Sequence, residues 1–407
     1  MSSLLYLDTA RLGRMSVSAQ RAHRDFARFA GEEGCPLYFE HFLARGAKAR
    51  SDVFAARYPG MACWPGIKGL KEQIRRLTRT PSDLPVLLAN RSAQLMKLAA
   101  RLLFLSCRNV FVTDLGWPPY RAILDAERQR KSRKVTEIAV RDAVLLDATA
   151  EDNVVSLLCS EFRRNQCDGL FLTAVSHDGV RLPIEKIVTE LEATAALRFV
   201  VVDGAQAFCH THTDLSHAPF DLYLTGSHKW LGAYHPLGIA LYGKRRSRQL
   251  IETIRDEMIN RADLNDPLLR FTEQLESDGL DGYTETVNVA PLLTCSAAAQ
   301  DAFASSRCFD TSLDNQLHNC SLASDLADGT QWTPLQPAKP FQSGILLLQS
   351  RSNHVRSAPP AAIRDAIQRE GLAVTNYPGG LLRLSMPRIP LSKMDLNRIR
   401  LALQRVA

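Results

Sequence analysis

Segments with apolar residues at helical spacing alternate along this chain with short apolar runs rich in β-branched residues. The spacing predicts amphipathic helices over 17–31 and 67–78. Short apolar runs recur at Val86–Leu88, Val110–Val112, Leu170–Leu172, Phe199–Val202, Leu222–Leu224 and Ile239–Tyr242. Several are apolar on both faces, as strands covered by helices on each side must be. Helix-length segments such as 92–106 and 183–196 lie between them, which predicts βα units and a mainly parallel sheet.

Beyond residue 244 the texture changes. A polar helical stretch runs to 280, and a further helix is predicted over 290–306. The run Gly344–Leu348, a helix over 360–370, a strand at Leu381–Ser385 and a last helix over 393–405 then describe a smaller α+β unit. The large unit comes first and the small one last. No repeat period or Gly/Ser linker separates them.

The 407 residues are 45% hydrophobic and 23% charged, a globular composition on a chain long enough for two or three domains. Disordered and fibrous architectures are excluded for the bulk. No stretch approaches the roughly 20 consecutive apolar residues of a bilayer span, and the opening lacks a basic region followed by an apolar core. A soluble, cytoplasmic protein with no membrane partner is expected. The nine cysteines are scattered without CxxC pairs and read as reduced thiols.

A net charge of +7 permits nucleic acid or anionic ligands, so the distribution of the basic residues decides. The densest run, Arg128–Lys134, has no interleaved aromatics and reads as a solvated helix end, so no nucleic-acid partner is expected. Cys209-His210-Thr211-His212 carries metal-friendly side chains without a second ligand pair, and no metal is expected there. Glycine-rich phosphate loops of the dinucleotide and P-loop types are missing from the sequence.

Chemistry concentrates in Phe199–Tyr242. Asp203 stands at the carboxyl end of a predicted buried strand, and Lys229 follows the next apolar run. Ligands of open α/β sheets collect at strand carboxyl ends, although singly a strand-end Asp also reads as a turn or capping residue and a Lys beside Trp as a surface residue.

The order Asp203-Gly204-Ala205-Gln206, followed by Thr225-Gly226-Ser227-His228-Lys229, resembles class V aminotransferases. This pyridoxal-phosphate-dependent (PLP) family of fold type I also holds cysteine desulfurases, kynureninases, cystine lyases and isopenicillin-epimerase-like proteins. The resemblance implies an α/β fold with a mainly parallel central sheet flanked by helices, plus a small C-terminal α+β domain. It also implies that Lys229 attaches the cofactor and carries protons, that Asp203 faces the pyridine nitrogen, and that Gln206 approaches the phenolic O3′. Thr225, Ser227 and His228 join them as cofactor-binding residues.

Further matches extend the resemblance. Val86 to Gln94 is similar to the family's strand, turn and helix start, which makes Arg91 and Ser92 phosphate contacts at a helix N-terminus. Trp117 falls where relatives stack an aromatic or His on the ring. Ser176-His177-Asp178-Gly179 is similar to a family strand end, shortened by one or two residues, which leaves the O3′ or substrate contact near Asp178 open. His235 follows Lys229 closely and is either a residue of the ligand mouth or a loop residue. Thr286 matches the threonine that reaches the partner subunit's phosphate. Arg383, in Leu382-Arg383-Leu384-Ser385, matches the clamp for the substrate carboxylate.

The opening Leu7-Asp8-Thr9-Ala10-Arg11-Leu12-Gly13 is similar to that of epimerase-like members and of PLP enzymes of lincosamide antibiotic biosynthesis, which act on S-cysteinyl conjugates. The implied organisation is an N-terminal arm over 1–15, a large domain over 16–285 and a small domain over 286–407. The active site then lies at a homodimer interface.

Cysteine desulfurases carry a nucleophilic cysteine ahead of the clamp arginine, and Arg351–Tyr377 contains none. The expected activity is therefore Cα-deprotonating chemistry on a small amino acid. β-Elimination from a cysteine S-conjugate comes first, and aminotransfer, decarboxylation or deamination second. A non-catalytic regulator is a third reading, disfavoured because Lys229, Asp203 and Arg383 are all present.

Overall fold

The apolar runs assemble into a seven-stranded sheet in a computed structural model that describes residues 4–34, 39–47, 52–147, 149–277, 283, 285–304 and 309–406. Its strands are β1 (Val86–Ala89), β2 (Asn109–Thr113), β3 (Lys134–Ile138), β4 (Gly169–Thr173), β5 (Phe199–Asp203), β6 (Leu222–Gly226) and β7 (Gly238–Tyr242). They lie in the order β1-β7-β6-β5-β4-β2-β3. All pairs are parallel except those of β7, which runs antiparallel to both neighbours.

Alternation along each buried strand divides the core. Val200 and Val202 of β5 join Leu88, Phe111 and Leu170 on one face, while Phe199 and Val201 join Leu87, Val110 and Leu222 on the other. Each such fully buried side chain contributes about 1.5–3 kcal/mol. Helix α3 (Ser92–Ser106) lies on the second face, buried along most of its length. Helices α1 (Val17–Glu33), α2 (Gly66–Thr78) and α5 (Ile184–Thr194) pack against the first.

The edge strand β3 was not anticipated, because its residues are all exposed or half-buried and no double-faced apolar run marks it. The basic run Arg128–Lys134 is divided between the end of helix α4 (Pro118–Lys131) and the first residue of β3.

A second, antiparallel sheet holds β8 (Trp332–Leu335), β9 (Ile345–Ser350), β10 (Thr375–Tyr377) and β11 (Leu381–Ser385), in the order β10-β11-β9-β8. Helices α7 (Phe309–Asp328) and α8 (Lys393–Arg405) cover it around Trp332, Leu346, Leu384 and Ile399. Helix α6 (Ala290–Ala304) precedes them and packs on α1 and α2, so the boundary expected at 285/286 falls ahead of a helix that sits with the large sheet.

The start of the chain crosses between the two bodies. Leu5–Tyr6 pairs in parallel with Leu372–Ala373, and Leu7 enters the core of the small sheet. Gly13 N–H then donates to the His228 carbonyl (2.8 Å) and Ser16 N–H to that of Gly232 (2.9 Å). Among the described residues no helix is long and apolar enough to cross a membrane.

Candidate active site

Strand β5 delivers Asp203 to the carboxyl edge of the large sheet, where the turn that follows donates Ala205 N–H to its Oδ1 (2.9 Å). The carboxyl is only 3% exposed, and burial pushes its pKa up to about 6. One strand over, β6 ends at Gly226, and the chain returns to β7 through a turn closed by Ser227 N–H to Leu237 O (3.1 Å) and Ala233 N–H to Ser227 O (3.2 Å). Lys229 sits in this turn. Burial lowers its pKa to about 8, against the opposing pull of Asp203. Both groups line one cavity of about 620 Å³, yet no ion pair joins them among the described residues.

A third wall is the start of α3. Arg91 holds the N-cap position in extended backbone (φ −146°) without a side-chain cap; Gln94 N–H donates to Arg91 O (3.1 Å), which leaves the Ser92 and Ala93 N–H groups for an anion. Strand β7 approaches this helix start closely. A Cβ on Gly238 would lie 2.4 Å from Ser92 N, so the missing side chain is what permits the approach. Tyr120, on α4, donates its hydroxyl to Ser92 Oγ (2.6 Å), and burial raises its pKa so that it stays protonated. His228 also lines the cavity; burial lowers its pKa to about 4 and keeps it neutral.

The small sheet closes the cavity with Arg383 of β11, only 3% exposed. Its Nη1 donates to His177 O (3.3 Å) and its Nη2 to Thr375 Oγ1 (3.2 Å), while Asp8 Oδ1 lies 3.6 Å away. Its Nε has no partner among the described residues. The guanidinium stands 5.6 Å from the Tyr377 ring centroid. Trp117 stands at the rim, edge-on to His177 at 5.3 Å.

The cavity thus gathers Lys229, Asp203, Arg91, Ser92, Trp117, Gln206, His228 and Arg383. Gln206, expected at O3′, has both ends of its amide engaged: Nε2 donates to Ala10 O (2.8 Å) and Oε1 accepts from Trp230 Nε1 (2.8 Å). Thr225 and Ser227 lie off the lining. The Thr225 hydroxyl donates to Gly204 O (3.2 Å) and that of Ser227 to His235 O (3.4 Å). Thr286 is exposed and away from the cavity of its own chain.

Asp178 is off the lining too, and it accepts from Arg141 Nε (2.5 Å) at a turn. His235 pairs with His23 (3.1 Å). Both nitrogens of His210 are engaged, with Gln206 O (2.7 Å) and Gly344 N–H (3.0 Å). No cluster of potential metal ligands occurs among the described residues.

Arg11, Tyr120, Thr173, Asn376 and Tyr377 line the cavity without having been singled out. Tyr120 was within reach of the sequence, because it follows Trp117 by one helical turn at the start of α4. Tyr377 depends on the β10–β11 pairing, which places Thr375 opposite Arg383.

Comparisons with known proteins bear on the family and the fold. The model of the family "Aminotransferase class-V" matches residues 66–273. The fold is similar to the Escherichia coli cysteine desulfurase CsdA (S-sulfonic acid form), with TM-score 0.69, 16% identity, and 99% of this chain and 94% of that one covered. It is also similar to the apo cysteine desulfurase of Thermococcus onnurineus NA1 (TM-score 0.66, 12% identity, 98% and 94% covered). A third similar structure is a C-DES lysine-to-alanine mutant with glycine covalently linked to the PLP cofactor (TM-score 0.64, 13% identity, 99% and 96% covered). No curated protein matches the sequence significantly.

Proposed function

Because this chain belongs to the aminotransferase class V family, with pyridoxal 5′-phosphate as its cofactor, we propose that it cleaves the Cβ–S bond of a cysteine S-conjugate by β-elimination. The observation that carries this reading is a buried amine, Lys229, and a buried carboxylate, Asp203, lining one cavity without touching, with the Arg383 fork on the same cavity. The gap between amine and acid suits a flat aromatic ring, and the uncapped start of α3 suits its phosphate.

When bound, the cofactor supplies an electrophilic carbon for an amine and a ring that withdraws electrons from the substrate's Cα. Asp203 favours a proton on the ring nitrogen opposite it. Arg383 takes the substrate carboxylate through its free Nε edge, which orients Cα toward Lys229. The Lys229 amine, neutral above about pH 8, accepts the Cα proton. As the Cβ–S bond breaks, sulfur leaves with the bonding pair and takes up a proton as a thiol. Water then releases the three-carbon remainder as pyruvate and ammonia.

No cysteine lines the cavity among the described residues, which supports departure of sulfur as a free thiol rather than its capture on the protein. Cys320 is fully buried, and Cys308 lies outside the described residues. The similar structures include cysteine desulfurases, which agrees with a sulfur amino acid as substrate. In a homodimer, the partner subunit's Thr286 completes the phosphate site, a role for which its exposure leaves it available.

The test is to incubate holoenzyme with S-substituted cysteines and other amino acids while measuring thiol, pyruvate, ammonia and keto acids separately. Equal amounts of thiol, pyruvate and ammonia are expected. A keto acid retaining the sulfur substituent would replace elimination with aminotransfer.

A further inference from the structure

We infer that Arg11 reads a second, distal acidic group on the substrate, which narrows the substrate class to diacidic α-amino acids such as a cysteine S-conjugate ending in a carboxylate. This rests on reading the cavity as an amino-acid site.

The backbone around Arg11 is fixed on both sides. Arg11 and Leu12 N–H groups donate to Asp8 O (3.0 and 3.1 Å), and Ala10 is held by Ser385 Oγ (3.1 Å) and Gln206 Nε2 (2.8 Å). Gly13 is anchored to His228. The Arg11 backbone therefore keeps its place beside the cavity, and only the side chain is left to be ordered by a ligand.

The Arg11 side chain is exposed and lines the cavity that also holds the exposed Trp117, the half-buried Tyr377 and the buried Arg383. It is close enough to Tyr377 for its charge to oppose the effect of burial on that phenol. No hydrogen bond or ion pair engages its guanidinium among the described residues. Arg14, by contrast, donates to Leu4 O (3.0 Å) and lies over the Tyr6 ring.

Three arginines line the cavity, Arg91 at the α3 start, Arg383 on the small sheet and Arg11 on the arm, and charge compensation separates the last two. Asp8 Oδ1 lies 3.6 Å from Arg383, whereas no ion pair joins Arg11 to a carboxylate among the described residues. Asp203 is the only acidic residue on the described lining, and it belongs to the β5 end of the cavity. A neutral or cationic distal group gains nothing from an unpaired guanidinium at the rim. A carboxylate gains a forked, charge-assisted contact. Because the rim is wet, the contact is screened, and the expected effect is about tenfold in affinity.

The experiment compares S-carboxymethylcysteine with S-ethylcysteine on wild-type, Arg11→Gln and Arg11→Lys holoenzymes, together with succinate and butyrate as unreactive ligands measured by calorimetry. The wild type should show a KM about tenfold lower for the carboxymethyl compound. Arg11→Gln should remove that preference and the preference for succinate over butyrate, while Arg11→Lys should keep part of both. Equal KM values in the wild type, or an Arg11→Gln effect of the same size on both substrates, would overturn the inference. If neither compound is eliminated but succinate binds in an Arg11-dependent way, the acidic-group reading stands and elimination falls.

Discussion

Gly13 passes so close to Lys229 that a Cβ at position 13 would lie 1.8 Å from the Lys229 carbonyl oxygen. The neighbouring Gly13 N–H to His228 O hydrogen bond (2.8 Å) fixes the two segments at that separation. The start of the chain is thereby part of the wall around the proposed catalytic lysine, and hydrogen is the one side chain that fits there.

Gly13→Ala should therefore act on both stability and cofactor retention. The atom that must yield is backbone, so the overpacking cost is about 1–3 kcal/mol. Thermal unfolding should show that loss, and dialysis should show faster release of the cofactor. A variant as stable and as retentive as the wild type would mean that the arm does not lie over the lysine.

Two buried ionisable groups give the cofactor-free protein a signed pH dependence. The Lys229 pKa is about 8 folded against 10.5 in the unfolded chain, so the unfolded chain binds the proton more readily between those values. Stability from this group is then lowest below pH 8 and recovers as pH rises toward 10.5. Asp203 is raised from 3.8 to about 6, so its contribution falls as pH rises through that window. Without cofactor, Lys229→Met should stabilise the protein at pH 7 by up to about 3 kcal/mol, a gain that shrinks toward pH 10. Denaturant unfolding at both pH values checks the sign, and destabilisation at pH 7 would contradict it. The rate of cofactor capture should likewise level off above about pH 8, where the amine becomes neutral.

Arg383→Lys should raise the KM for an amino-acid substrate at least tenfold with a smaller change in kcat. The ammonium keeps the charge beside Asp8 but loses the planar fork and the free Nε. Steady-state kinetics measure the split. A kcat defect at unchanged KM would place the substrate carboxylate elsewhere.

The large sheet was legible because its strands are buried on both faces, as in Phe199-Val200-Val201-Val202. The edge strand β3 carries polar residues toward solvent and lacks that mark. Helix α7 was missed for a different reason. The half-buried Asn315 and the buried Gln316 and Asn319 use their amides to hold the carbonyls of Met386, Pro387, Arg388 and Ile389, which interrupts the apolar stripe that signals a helix. At the site, residue type and order brought out Lys229, Asp203 and Arg383. They could not reveal that Thr225 turns its hydroxyl to Gly204 or that Gln206 serves Ala10 and Trp230, because those partners are brought close only by tertiary packing.

Alkylation separates this chemistry from sulfur capture on a protein thiol. Cys63 is exposed, whereas burial pushes the pKa of Cys107, Cys209, Cys295 and Cys320 up to about 12. Iodoacetamide should label Cys63 and leave thiol release unchanged. Activity lost in proportion to the label would point to a cysteine nucleophile.

The most direct measurement reduces the holoenzyme with borohydride and locates the covalently trapped cofactor by peptide mass spectrometry. The label should fall on Lys229, and Lys229→Ala should carry none. A label on another lysine, or a fully loaded Lys229→Ala protein with unchanged visible absorbance and turnover, would contradict the account.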